Sequence, residues 1–105
     1  MRHFIHTSEG RKPVESLKTF EFNGERFFLH VRTDNKDAIG ITHHETGFSA
    51  GHVPRYTSYH AVGMKRIERG IAAWLADALM LLKRVNPERF ELAMKKAKET
   101  AHEQG

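Results

Sequence analysis

KTFEFNGERFFLHVR, residues Lys18 to Arg32, holds two β-prone runs separated by Asn23-Gly24, the dipeptide best suited to the paired left-handed positions of a type I′ hairpin turn. A two-residue loop pairs Phe22 with Glu25, Phe20 with Phe27 and Lys18 with Leu29. One face then carries Phe20, Phe22, Phe27, Leu29 and Val31. The other carries Thr19, Glu21, Arg26, Phe28, His30 and Arg32, with Glu21 opposite Arg26 as an oppositely charged pair that fits the same register. This second face is polar except for Phe28.

Downstream, Thr33 to Asp37 is a polar connection, and AIGITHH (Ala38–His44) and FSAGHV (Phe48–Val53) form a second hairpin around Glu45-Thr46-Gly47. A loop of His44 to Gly47 pairs His43 with Phe48, Ile41 with Ala50 and Ile39 with His52, which sets Ile39, Ile41 and Phe48 on the core side. The alternative, a three-residue loop with Gly47 left-handed, turns Phe48 to the other face. Pro54 ends the strand because it has no N–H for a ladder. Thr57 or Ser58 suits the N-cap of a long helix over residues 57–85, whose Met64, Ile67, Ile71, Trp74, Leu75, Ala78 and Leu82 recur at helical spacing. Gly63 and Gly70 weaken it by about 1 kcal/mol each relative to Ala. Asn86-Pro87-Glu88 starts another helix over residues 87–103: Asn caps, Pro takes the first position, and Glu meets the positive end of the dipole. Its apolar stripe is thin: Phe90, Ala93, Met94, Ala97 and Ala101.

Upstream, residues 1–17 read as an N-terminal arm. Arg2 to Thr7 alternates weakly enough for a short strand, and Ser8 to Pro13 reads as loop. The expected fold is one α+β domain over residues 1–105: an antiparallel sheet of four to five strands, built from two hairpins over residues 18–53, packed on the long helix, with the C-terminal helix outside.

A chain of 105 residues has room for one modest core and not for separate cofactor and substrate domains. The 17 Lys and Arg against 13 Asp and Glu give a formal charge of +4 and a pI near 9.6, which permits attraction to phosphate or to an acidic protein. Eight histidines add positive charge as the pH falls below about 6.5. With no cysteine there is no disulfide, no thiolate chemistry and no Cys-type zinc site. The N-terminus has no apolar signal region and no run is long enough to span a bilayer, so a cytoplasmic location and no membrane partner are expected.

Three groups of residues carry functional expectations. On the polar sheet face Arg26, Phe28, His30 and Arg32, extended by His44, offer cations for a phosphate backbone around an aromatic on which a base could stack. The competing expectation is that Phe28 is covered by the C-terminal helix. Along the long helix, Lys65, Arg66 and Arg69 at one end and Lys83 and Arg84 at the other, with Arg55 before it, form a basic edge suited to phosphates. The third group is His43, His44, His52 and His60 with Glu45, ligand types for a divalent ion. Their spacing matches no metal motif, and neighbours His43 and His44 point to opposite faces of a strand. Gly47-Phe48-Ser49-Ala50-Gly51 spells G-x-S-x-G, but it follows a hairpin turn in a chain too short for the hydrolase fold that uses it.

The function expected first is therefore a non-enzymatic binding or regulatory protein acting on nucleic acid through Arg26, Phe28, His30, Arg32, His44, Arg55, Lys65, Arg66 and Arg69, with no cofactor. The alternative is a small protein-binding modulator, an inhibitor or adaptor of the sort a mobile element encodes. A metal-dependent hydrolase using the His43–His60 region comes third.

Overall fold

The computed structural model describes residues 2–7, 10–57 and 67–104, with the side chains of residues 2, 6 and 101–104 outside that description. At its centre Asn23 and Gly24 take φ of 50° and 78°, the two left-handed conformations the turn requires. Strands β3 (Lys18–Phe22) and β4 (Glu25–Val31) pair in the expected register, Phe20 against Phe27 and Lys18 against Leu29. Arg26 Nη2 lies 3.6 Å from Glu21 Oε1. On its other side β4 pairs with β5 (Ala38–His43), and β5 with β6 (Ser49–Pro54), completing a four-stranded antiparallel sheet in chain order.

The β5–β6 turn closes with four loop residues. His43 N–H donates to Phe48 O at 2.9 Å, and Gly47, at φ 76°, donates to His43 O at 2.8 Å. The expected register fails one step later. A bulge at Ala50 sets Ile41 opposite Gly51 and Ile39 opposite Val53. Val53 consequently joins Ile39 and Ile41 in the core, and Phe48 is only half-buried. Gly51, at φ 136°, sits in a conformation that L-residues rarely adopt, and a Cβ there would lie 3.2 Å from Leu81 Cδ2.

The short strand that Arg2–Thr7 allowed does form, and the stretch expected as loop supplies a second strand from Gly10 onward. β1 (Arg2–Thr7) and β2 (Gly10–Glu15) form a separate antiparallel pair with His3 opposite Val14. Pro13 is accommodated because β2 has β1 as its one strand neighbour, so its missing N–H breaks no ladder on the far side. Ile5 and Val14 of this hairpin cluster with Phe28.

The helices are α1 (Ile71–Arg84) and α2 (Pro87–Gln104). The long helix thus begins later than Thr57. Thr57 N–H donates to Ile67 O and Arg69 N–H to Arg55 O, at 2.9 and 3.0 Å, and this pairing keeps residues 67–69 extended. Gly70, at φ 95°, then turns the chain into the helix. The remainder of the expected helix, with Ser58, Gly63 and Met64, lies outside the described residues. The buried stripe narrows to Trp74, Ala78 and Leu82, while Ile67 and Ile71 are 61% and 45% exposed. Asn86 caps α2 as expected, its Oδ1 accepting from Glu88 N at 2.9 Å and Arg89 N at 3.4 Å.

α1 packs across the sheet against β6 and β3. α2 covers the β3–β4 hairpin, with Phe90 5.4 Å from Phe22 and 6.2 Å from Phe27, ring centre to ring centre. The sheet is therefore covered on both faces, by the helices over Phe27 and by the β1–β2 hairpin over Phe28. Among the described residues no helix is long and apolar enough to cross a membrane.

Candidate functional site

The polar face of the sheet is not an open stacking platform. Phe28 has no exposed surface and stacks on His3 at 4.6 Å, so it cannot receive a base. Its cover is the N-terminal hairpin rather than the C-terminal helix. His30 is also buried: Nδ1–H donates to Val31 O at 3.0 Å, which leaves Nε2 to accept from the Thr42 hydroxyl at 2.8 Å. The ring lies against Gly40, where a Cβ would come within 2.7 Å of its Cε1.

Four of the arginines expected to meet phosphate already face carboxylates. Arg26 faces Glu21. Arg32 binds Asp34 through two bonds of 2.8 and 2.6 Å and reaches His52 Nδ1 at 2.9 Å. Arg69 Nη1 is 2.6 Å from Asp77 Oδ2. Arg55 Nε stands 3.7 Å from Glu68 Oε1, its Nη1 donates to Lys36 O at 2.9 Å, and the guanidinium lies 5.3 Å from the centre of the Tyr56 ring. Lys65 and Arg66 are outside the described residues, and His44 is exposed.

The three described histidines of this group do not assemble. His43 is buried, His44 is exposed beside the His3 ring, His52 engages Arg32, and His60 is outside the described residues. His43 instead anchors a network that sequence patterning missed. Its Nε2–H donates to Glu25 Oε2 at 3.1 Å, and Nδ1 meets Thr46 Oγ1 at 2.9 Å. Lys98 of α2 closes it, 2.5 Å from Glu25 Oε1 and 3.5 Å from Glu45 Oε2. Glu25, His43 and Glu45 bring ligand atoms within 4.8 Å of one another, but the Lys98 ammonium already supplies the cation these carboxylates face. The network ties α2 to the sheet. Only the closeness of His43 and Thr46 in one turn hinted at it in the sequence, since Glu25 and Lys98 meet solely through tertiary packing.

These contacts set protonation. Burial pushes the His30 pKa below its ordinary 6.5, against the pull of the Val31 carbonyl and helped by the Arg32 charge. Burial and the neighbouring His44 lower that of His3. Burial of Glu25 favours its neutral form, but hydrogen bonds from Lys98 and His43 outweigh it and hold its pKa below 4.5. For both histidines the unfolded chain binds more protons than the fold does once the pH drops below 6.5, so their contribution to stability is lost as pH falls from there. Glu25 adds a second loss as pH falls through its lowered value. Melting temperatures should therefore decline in two stages on acidification. A transition independent of pH between about 7 and 5 would mean that neither imidazole is held neutral.

Two other surfaces stand out. Lys83, Arg84, Arg89, Lys95 and Lys96, at the end of α1 and along α2, are exposed and have no carboxylate partner among the described residues. On the opposite side of the sheet, a groove of about 280 Å³ runs between the N-terminal hairpin and the β5–β6 turn, lined by His3, Phe4, Arg11, His44, Glu45 and Thr46 among others. This α+β chain matches no protein-family model, no curated protein and no solved structure.

Proposed function

We propose that this is a small non-enzymatic binding protein that takes nucleic acid by its phosphate backbone at the corner formed by α1 and α2. The observation that supports this is the division of cations into two populations. Arg26, Arg32, Arg55 and Arg69 are each matched by a carboxylate, whereas Lys83, Arg84, Arg89, Lys95 and Lys96 are not. Between residues 83 and 96 five cations face two carboxylates, Glu88 and Glu91, a surplus of three. Cations without an internal partner are the ones that release counterions when they meet phosphate. With Phe28 buried, binding there is set by charge rather than by base stacking.

Affinity should then fall steeply with salt. Replacing Lys83 and Arg84 together with Gln should flatten the plot of log K against log salt by about 0.7 to 0.9 for each phosphate no longer neutralised. The Arg26→Gln protein should keep the parent's slope. If the parent binds neither single- nor double-stranded DNA or RNA at about 50 mM salt, the proposal fails. A protein-binding modulator would take its place, a role favoured by Leu92 on the outer face of α2 and Met80 on α1, 67% and 53% exposed.

A further inference from the structure

We propose that the groove between the N-terminal hairpin and the β5–β6 turn is an anion site that takes a phosphate group through Arg11, His44 and His3. The site goes beyond the helical corner and lies on the other face of the sheet. His3 is 7% exposed, stacked on Phe28, and its Nε2 has no hydrogen-bond partner among the described residues. A buried ring nitrogen without a partner carries a desolvation cost that an oxygen of a ligand in the groove would offset. His44 stands edge-on to His3 at 4.8 Å and is open to solvent. Arg11, on the same groove, is exposed and has no carboxylate partner among the described residues.

The charge of the lining selects the ligand's sign. Arg11 brings a permanent cation, and the one carboxylate on the rim among the described residues, Glu45, faces Lys98 at 3.5 Å. A divalent metal ion would meet Arg11 at close quarters. A phosphate meets a planar guanidinium that can hold two of its oxygens, an imidazole donor from His44, and His3 at the base of the groove. Free phosphate, a phosphomonoester and a nucleic-acid backbone all present this chemistry.

The test is a titration of the isotope-labelled full chain with inorganic phosphate, followed by NMR at constant ionic strength. The ring signals of His3 and His44 and the side-chain signal of Arg11 should shift together and saturate in the millimolar range. Arg11→Gln should weaken the site about tenfold, the loss of roughly one charge-assisted hydrogen bond, and Arg11→Lys should restore part of it. Arg11 is exposed on an edge strand, so both variants should melt with the parent. Shifts that grow without saturating, or an Arg11→Gln protein with the parent's affinity, overturn the site. Two further arms identify its source. Saturation by a nucleoside monophosphate marks a terminal phosphate, and displacement of inorganic phosphate by a short oligonucleotide marks a backbone. Failure here leaves the helical corner untouched, since that surface is read from Lys83 and Arg84.

Discussion

Trp74→Ala should remove a large part of the chain's stability and melt far below the parent. The indole is 3% exposed at the centre of the helix-side core, among Ala78, Leu82 and the sheet residues Ile39, Ile41 and Val53. Truncating a buried Trp costs on the order of 3–5 kcal/mol, because the apolar transfer term is lost and the cavity left behind does not fully collapse. Here there is an additional loss. The Trp74 Nε1–H donates to Arg55 O at 3.1 Å, so the truncation also removes one of the two hydrogen bonds that this carbonyl accepts, the other coming from Arg69 N–H. Small domains hold about 5–15 kcal/mol in total, and a loss of this size removes much of it. Thermal unfolding is the measurement. Trp74→Phe separates the two terms, since it keeps most of the volume and loses the N–H, and should cost about 1 kcal/mol for that bond plus a modest cavity term. A Trp74→Ala protein that unfolds within a few degrees of the parent would show that α1 does not pack on the sheet through this face.

That core was legible in the sequence where the signal was local. Asn23-Gly24 dictates its own turn, and the turn dictates the pairing of β3 with β4, so the register followed without any tertiary information. Asn86 and Pro87 mark the start of α2 in the same way. Elsewhere a local rule was outweighed. The helical spacing of Ile67 and Ile71 suggested one continuous helix, yet residues 67–69 pair backward with residues 55–57, and backbone hydrogen bonds made there outweigh the propensity of a segment broken by Gly70. At β6 the Ala50 bulge shifts the strand by one residue, an event that alternation alone does not announce.

The site was legible in residue type and not in arrangement. Arg26 opposite Glu21 was visible because cross-strand neighbours follow from the register. The partners of Arg32, Arg55 and Arg69 depend on loops and on the path into α1, and each neutralises a cation that composition counts as available. Consecutive Phe27 and Phe28 had to point to opposite faces, and period-two alternation says so. What covers Phe28 was hidden because Gly10 and Pro13 punctuate β2 like a loop. Pro at an edge strand is compatible with both structures.

Phe28→Ala is the substitution that tests this cover. The ring has no exposed surface and joins Ile5 and Val14 in a small cluster that fastens the β1–β2 hairpin to the sheet. The general cost for a buried Phe is about 3–5 kcal/mol. Here the hairpin is a separate two-stranded sheet, and an isolated hairpin is marginal in water, so the loss should concentrate in residues 2–15. Amide exchange in β1 and β2 should accelerate sharply while β4 and β5 stay protected by the helix-side core. The melting point of that core should fall less than in Trp74→Ala. The part of the salt slope that Lys83 and Arg84 carry should be unchanged, because those cations lie on α1, whereas the groove site, which includes His3 stacked on Phe28, should weaken. If instead binding drops by about 1–3 kcal/mol with the salt slope intact and the hairpin amides still protected, Phe28 is stacking on a base, and its burial under the hairpin is wrong.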